Sequence, residues 1–191
     1  MSQPCVLGPV ILFGVIFGLT GRFFAVSLKY AKEKMSRFFR NPYARIGLVS
    51  IPLAIILTLL YQGRYSGLGT NLIAAAFEGQ TIFAYDWLLK ILLTILTLSI
   101  GFQGGEVTPL FSIGASLGVI VGGVFGLPPE VCAALGYAAV FGSATNTLIA
   151  PVLIGLEVFG TDNAVVLVLV CTVAYLVNGN RSIYTAQQLE C

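Results

Sequence analysis

Long apolar stretches, cut short by glycine, proline and asparagine, set the pattern of this chain. Residues 1–28 are apolar and Gly-rich, and residues 46–61 form a second run that is short for a straight membrane crossing. The Gly-rich turn at 65–71 leads into a short helix expected at 71–77, and 78–80 reads as a loop. Further helices are predicted at 87–102, 107–127, 131–144, 148–160 and 163–177, and a last polar-tipped segment starts at 182–186. Residues 107–129, 131–156 and 163–180 carry no charge at all. A membrane span takes about 20 mostly apolar residues. Several of these segments are too short or too interrupted for simple spans. Broken backbone inside a bilayer is tolerated only where protein or a water-filled cavity satisfies the freed groups. Broken helices with their ends near the midplane are the architecture of ion-coupled transporters. The expected fold is therefore all-α, a polytopic membrane protein with broken and re-entrant helices.

Composition supports a membrane setting. Hydrophobic residues make up 57% and charged residues 9%, with a mean hydropathy of +0.94; soluble domains carry roughly 25% charged residues. The N-terminus lacks the basic region and cleavage site of a signal peptide, so residues 1–21 read as a retained span. There is no histidine, and Cys5, Cys132, Cys171 and Cys191 lie far apart without metal spacing. No metal or organic cofactor is expected, and nothing points to nucleic acid. With no His-Glu-x-x-His and no Gly-x-Ser-x-Gly, an enzyme is the least favoured class. One segment, 22–45, concentrates the basic residues, with Glu33 as its single acid. This bias places the segment on the cytoplasmic side; a patch for anionic lipid or an entering anion is the functional alternative. Asn41-Pro42 is expected to end the helix before it.

Individual positions refine the picture. Gly14-x-x-x-Gly18 and the series Gly114, Gly118, Gly122 suit close helix packing. Trp87 reads as an interfacial anchor, Asp86 as a helix cap, and Lys90 as a side chain that snorkels to the surface. Asn146 reads as a cap before the following helix, with a pathway role as the alternative. Thr108 and Thr147 could line a pathway or bond to their own helix backbone. Glu157, inside an apolar run, suits a structural bond to a loop.

The richest chemistry lies at 104–109, Gly-Gly-Glu-Val-Thr-Pro. Proline fits the first turn of a helix, where its missing N–H had no partner anyway. The N–H groups of Glu106, Val107 and Thr108 then point out along the axis, at the positive end of the helix dipole. Such an end attracts anions, and the paired glycines let an ion approach closely. Glu106 adds a titratable acid. Burial and a nearby anion favour its neutral form, and the dipole and N–H donors favour its charged form.

Gly105-Glu106-Val107-Thr108-Pro109 resembles the Gly-x-Phe-x-Pro motif of the CLC family of chloride channels and proton-coupled anion antiporters. Other matches follow in order: Tyr65 to Gly69 with Asn71-Leu72-Ile73, Ile154-Gly155-Leu156-Glu157, and Arg181-Ser182-Ile183-Tyr184. The resemblance implies the second half, over residues 1–191, of the family's inverted-repeat membrane domain. No Gly-Ser-Gly-Ile-Pro or Gly-(Lys/Arg)-Glu-Gly-Pro segment is present, which implies a truncated, fragmentary or half-length protein. Glu106 and Val107 depart from the common motif and are similar to the fluoride-exporting branch, bacterial fluoride/proton antiporters. The resemblance thus implies an anion held by Gly105, Glu106, Val107, Thr108 and the Tyr184 hydroxyl, with Glu106 coupling protons. Asn146 and Thr147 are candidate pathway residues. Fluoride or chloride, protons, the lipid bilayer of a bacterial inner membrane, a second copy of the protein and a separate first-half chain are the implied partners. A chloride channel or chloride/proton exchanger stays open, as does a non-conducting half-subunit or orphan fragment that packs with a partner.

Overall fold

The computed structural model describes residues 7–184. Residues 1–6, with Cys5 and the start of the first expected span, lie outside the described residues. So do residues 185–191, with Cys191 and the remainder of the segment that begins at Ser182. Eight α-helices and one short 3-10 turn, Tyr61–Gly63, occur among the described residues, with no strand. They are α1 (Leu7–Phe38), α2 (Pro42–Leu59), α3 (Thr70–Phe77), α4 (Asp86–Ser99), α5 (Val107–Val124), α6 (Pro129–Thr145), α7 (Ile149–Phe159) and α8 (Ala164–Asn178). Each of α2 to α8 falls within a few residues of a segment expected from the pattern.

The first helix corrects one boundary. Its apolar part and the first two-thirds of the basic segment form a single helix of 32 residues. Residues 28–37 are mostly Lys, Ala, Glu, Leu and Met, all strong helix formers. Arg37 sits in the last turn, where a cation complements the dipole. The helix stops short of Asn41, whose side chain accepts a 3.0 Å hydrogen bond from Tyr43 N and caps α2. Pro42 occupies the first turn of α2, as its missing N–H allows.

Three helices, α1, α2 and α5, are long and apolar enough to cross a membrane, and α7 and α8 are shorter apolar helices. In α2 only Leu53 is buried, and Leu48, Ile51, Ile55 and Leu59 are exposed. An apolar helix with so little protein around it suits hydrocarbon or a further protein surface. The main core runs along α1, α4, α5, α6 and α8, through Phe17, Phe24, Ile91, Leu110, Val140 and Val170. A smaller cluster of Leu53, Tyr65, Leu72, Leu93 and Ile100 ties α2, α3 and the intervening loop to α4.

Glycines set the closest helix approaches. A Cβ on Gly114 would strike the Gly136 carbonyl, and one on Gly118 would strike the Cys132 carbonyl, so α5 and α6 touch backbone to backbone. On α1, Gly14 makes room for the Val173 side chain of α8, and Gly18 lies against the Ala174 backbone. Both small-residue series therefore mark true contact faces. We expect Gly118→Ala to lower stability by about 1–3 kcal/mol through overpacking. Gly123→Ala, with nothing within 4 Å of its Cβ, is the neutral control. Apparent melting temperatures of the detergent-solubilised protein compare the two.

Candidate functional site

The site is built around the start of α5. Glu106 is its N-cap residue, and its carboxylate makes no bond to the helix it caps. Among the described residues, no acceptor takes the N–H of Glu106, Val107 or Thr108. Pro109 has no N–H to offer, and the first internal bond runs from Leu110 N to Glu106 O at 3.3 Å. Three amide donors thus emerge at the positive end of an 18-residue helix. The Thr108 hydroxyl makes no hydrogen bond among the described residues, contrary to a role bonding to its own helix, and the side chain is half-buried. Gly104 and Gly105 are exposed and have almost no neighbours where a Cβ would sit.

The Glu106 carboxylate instead reaches across to α1, where Lys32 Nζ lies 2.8 Å from Oε1. The two line an open polar recess of about 580 Å³ together with Ser36, Arg45, Gln103 and Gly104. Two cations and one acid give this recess a net positive charge, which favours anions. Arg45 has a second role. Its Nε donates to Ile100 O at 2.9 Å, at the C-terminal end of α4. The cation satisfies an end-of-helix carbonyl and favours the negative end of the dipole. It fixes the strand of chain that leads into 101–105.

A second scaffold holds the other side. Asp86 and Lys90 correct two expectations. Asp86 is fully buried and caps no amide of its own helix. Its carboxylate takes bonds from Arg64 Nη2 (2.7 Å), the Tyr65 hydroxyl (2.5 Å) and Phe83 N (2.9 Å). Lys90 does not snorkel: it is 1% exposed. Its ammonium donates to the carbonyls of Tyr65 (3.0 Å) and Gly67 (2.8 Å). A buried polar group must find partners, and the nearest lie in the loop of the 65–69 motif, not at the surface. Burial first, and then the bond to Asp86, push the Tyr65 phenol above its ordinary range, so it stays a donor. Gly69 is left-handed (φ 84°), and a Cβ there would meet Ser112 Oγ at 2.5 Å and Lys90 Cε at 2.8 Å. Only glycine fits between α4 and α5 at that point. The loop, Lys90, Gly105 and Pro109 border a cavity of about 270 Å³, which shares Phe102, Gln103 and Gly104 with the recess at Glu106.

The remaining candidates cluster elsewhere. Asn146 does not cap α7. It ends α6 in the left-handed conformation (φ 56°), and its side chain bonds Asn178 (3.2 Å) and Asn180 (2.8 Å). Asparagine tolerates that conformation where most residues do not. The Thr147 hydroxyl pairs with that of Thr145 at 2.7 Å. Ser182 Oγ donates to Thr145 O, and Ile183 N donates to Ala144 O. The α6 terminus therefore gathers Asn146, Thr147 and residues 178–184 into one knot. Tyr184, about two-fifths exposed, has its N–H bonded to Ser182 Oγ. No hydrogen bond, ion pair or ring contact joins it to 105–109 among the described residues. Glu157 is exposed on α7, with no loop partner among the described residues. Lys32, Arg45 and Lys90 are charged neighbours of this helix start that no residue-level expectation placed there; the concentration of basic residues at 22–45 was the available signal for the first two.

The sequence model of the voltage gated chloride channel family matches residues 2–179. The chain belongs to that family, the CLC family. It is 54% identical to a CLC-type fluoride/proton antiporter of known crystal structure, with a TM-score of 0.96 over 100% of this chain and 48% of that one. A eukaryotic CLC transporter, at 22% identity, shares the fold with a TM-score of 0.74 over 96% of this chain and 35% of its own. A chloride/fluoride channel protein of Pseudomonas syringae pv. tomato is 35% identical over 190 residues, covering 94% of this chain and 41% of the relative. The chain spans about half the length of these relatives, or less. Its expected all-helical CLC fold is the observed one, and it is a multi-pass membrane chain.

The Arg64–Asp86 pair makes one test of the scaffold. Breaking a buried pair costs about 3–5 kcal/mol. Arg64 keeps 22% of its side chain exposed, so for Asp86→Asn we expect about 2–4 kcal/mol. The check is a lowered melting temperature together with faster hydrogen exchange at residues 64–69.

Proposed function

We propose that the chain is the second half of a CLC-type fluoride/proton antiporter of a bacterial inner membrane. Transport, and not chemical catalysis, is its task. The observation that carries this reading is the start of α5, where three amide donors without an acceptor among the described residues sit beside the acid Glu106. In this reading the N–H groups of Glu106, Val107 and Thr108 hold the anion. Gly105 lets it approach, and the Thr108 hydroxyl adds a fourth donor. Tyr184 reaches the same anion from the C-terminal side, and Asn146 and Thr147 border the path near it. Family resemblance adds a homodimer with one pore per subunit, and a first half that completes each pore.

The physical logic rests on charge. A bare halide is costly to bring into a low-dielectric interior. Convergent N–H and O–H donors replace part of its hydration. A protonated Glu106 can donate to fluoride, a small, strongly accepting anion, and an ionised Glu106 repels it. Anion and proton occupancy are thereby linked at one place. The identity to the fluoride/proton antiporter supports fluoride over chloride.

The experiment is reconstitution of the protein, at its full natural length, into liposomes loaded with fluoride. Fluoride efflux and proton uptake are followed together. Glu106→Gln is expected to reduce proton-coupled exchange by about 10²-fold, the scale of a positioned proton-transfer group. Coupled exchange that survives this change unaltered would overturn the reading. Proton-independent chloride uptake by the parent would favour a passive channel.

A further inference from the structure

We infer that Lys32 is a positioning residue that keeps the Glu106 carboxylate off the α5 amides, and so keeps those amides open to the transported anion. The inference rests on the proposed role of the α5 start. A carboxylate beside a helix start ordinarily leans toward its free amides and the positive end of the dipole. Glu106 does not, although it caps α5 and those amides have no other acceptor among the described residues. Its Oε1 lies 2.8 Å from Lys32 Nζ on α1, a helix 74 residues earlier in the chain.

The carboxylate is the nearest anion to the three donors, and it is tethered to them by its own backbone. Its effective concentration there far exceeds that of any free ion. Left alone, it would be a strong competitor for the same N–H groups. The lysine offers it a charged partner in the other direction. The groups around it are few. Lys32 comes from α1 and Arg45 from α2, and the chain between α4 and α5 adds only the uncharged Gln103. Arg45 donates through Nε to Ile100 O, and the ion pair that Glu106 makes is with Lys32.

Equilibrium fluoride binding to the detergent-purified protein, at its full natural length, tests this by calorimetry. Lys32→Met is expected to weaken fluoride binding roughly five- to tenfold, the range of a carboxylate's preference for a helix start. Lys32→Arg, which keeps the ion pair, is expected to bind within about twofold of the parent. The discriminating measurement is Lys32→Met in a Glu106→Gln background, where the competing charge is gone. There the second change is expected to have little further effect, a coupling that the cycle isolates. An equal loss in both backgrounds would mean that Lys32 acts only through its field, and would overturn the inference. So would unaltered binding in Lys32→Met. The reading of Glu106 as the proton partner fails separately, by coupled exchange in Glu106→Gln. A parent that binds no fluoride overturns both.

Discussion

Backbone contact between α5 and α6 is the constraint on which the other arrangements rest. Gly114 and Gly118 face Gly136 and Cys132 with no side chain between the two helices. In hydrocarbon, helices gain little by hiding apolar surface from one another, and close dispersion contact takes over. A helix seated at backbone distance has no freedom to slide or rotate. Its N-terminal amides are therefore held in one place. A site made of backbone donors has no rotamers to adjust, so the seating of the helix is the precision of the site.

Around that terminus, the few charges of an apolar chain are used as braces. Arg45 closes the end of α4, Lys90 gathers the carbonyls of the 65–69 loop, and Arg64 with Asp86 joins that loop to the start of α4. Each charge sits where unmet backbone or carboxylate groups would otherwise stand in a low-dielectric interior. The loops into and out of short helices are the weak points of a broken-helix membrane fold. Here they are the places where the charged side chains are spent. Among the described residues, the ion pair that braces no loop is Lys32 with Glu106, and it lies at the mouth of the α5 amides.

The second half of the chain uses neutral polar groups for the same purpose. Asn146, Asn178 and Asn180 interlock at the end of α6, and Ser182 and Ile183 tie the following segment back to the Thr145 and Ala144 carbonyls. The described segment up to Tyr184 is thereby carried on the α6 terminus, whose other end packs through Cys132 against α5. The two clusters of candidate residues share one helix pair, and no hydrogen bond, ion pair or ring contact joins them among the described residues.

Helix positions, the helix-contact glycines and the free amides at the α5 start were legible in the residues, because each is local. Hydrophobic runs bounded by glycine, proline and asparagine mark helices wherever they fold. A four-residue glycine repeat marks a face, and a helix that starts at Gly-Gly-Glu-Val-Thr-Pro has no acceptor within itself for its first amides. Local signals failed where a charged or polar side chain had to choose a partner. Lys90 looked able to reach the surface, Asp86 able to cap its own helix, and Asn146 able to cap the next one. Tertiary structure placed each beside carbonyls, a guanidinium or other asparagines from distant parts of the chain. The pairing of Lys32 with Glu106 spans 74 residues. Periodicity fixes which face of a helix is apolar; it carries no information on which distant charge will stand opposite, and that is set only when the helices pack.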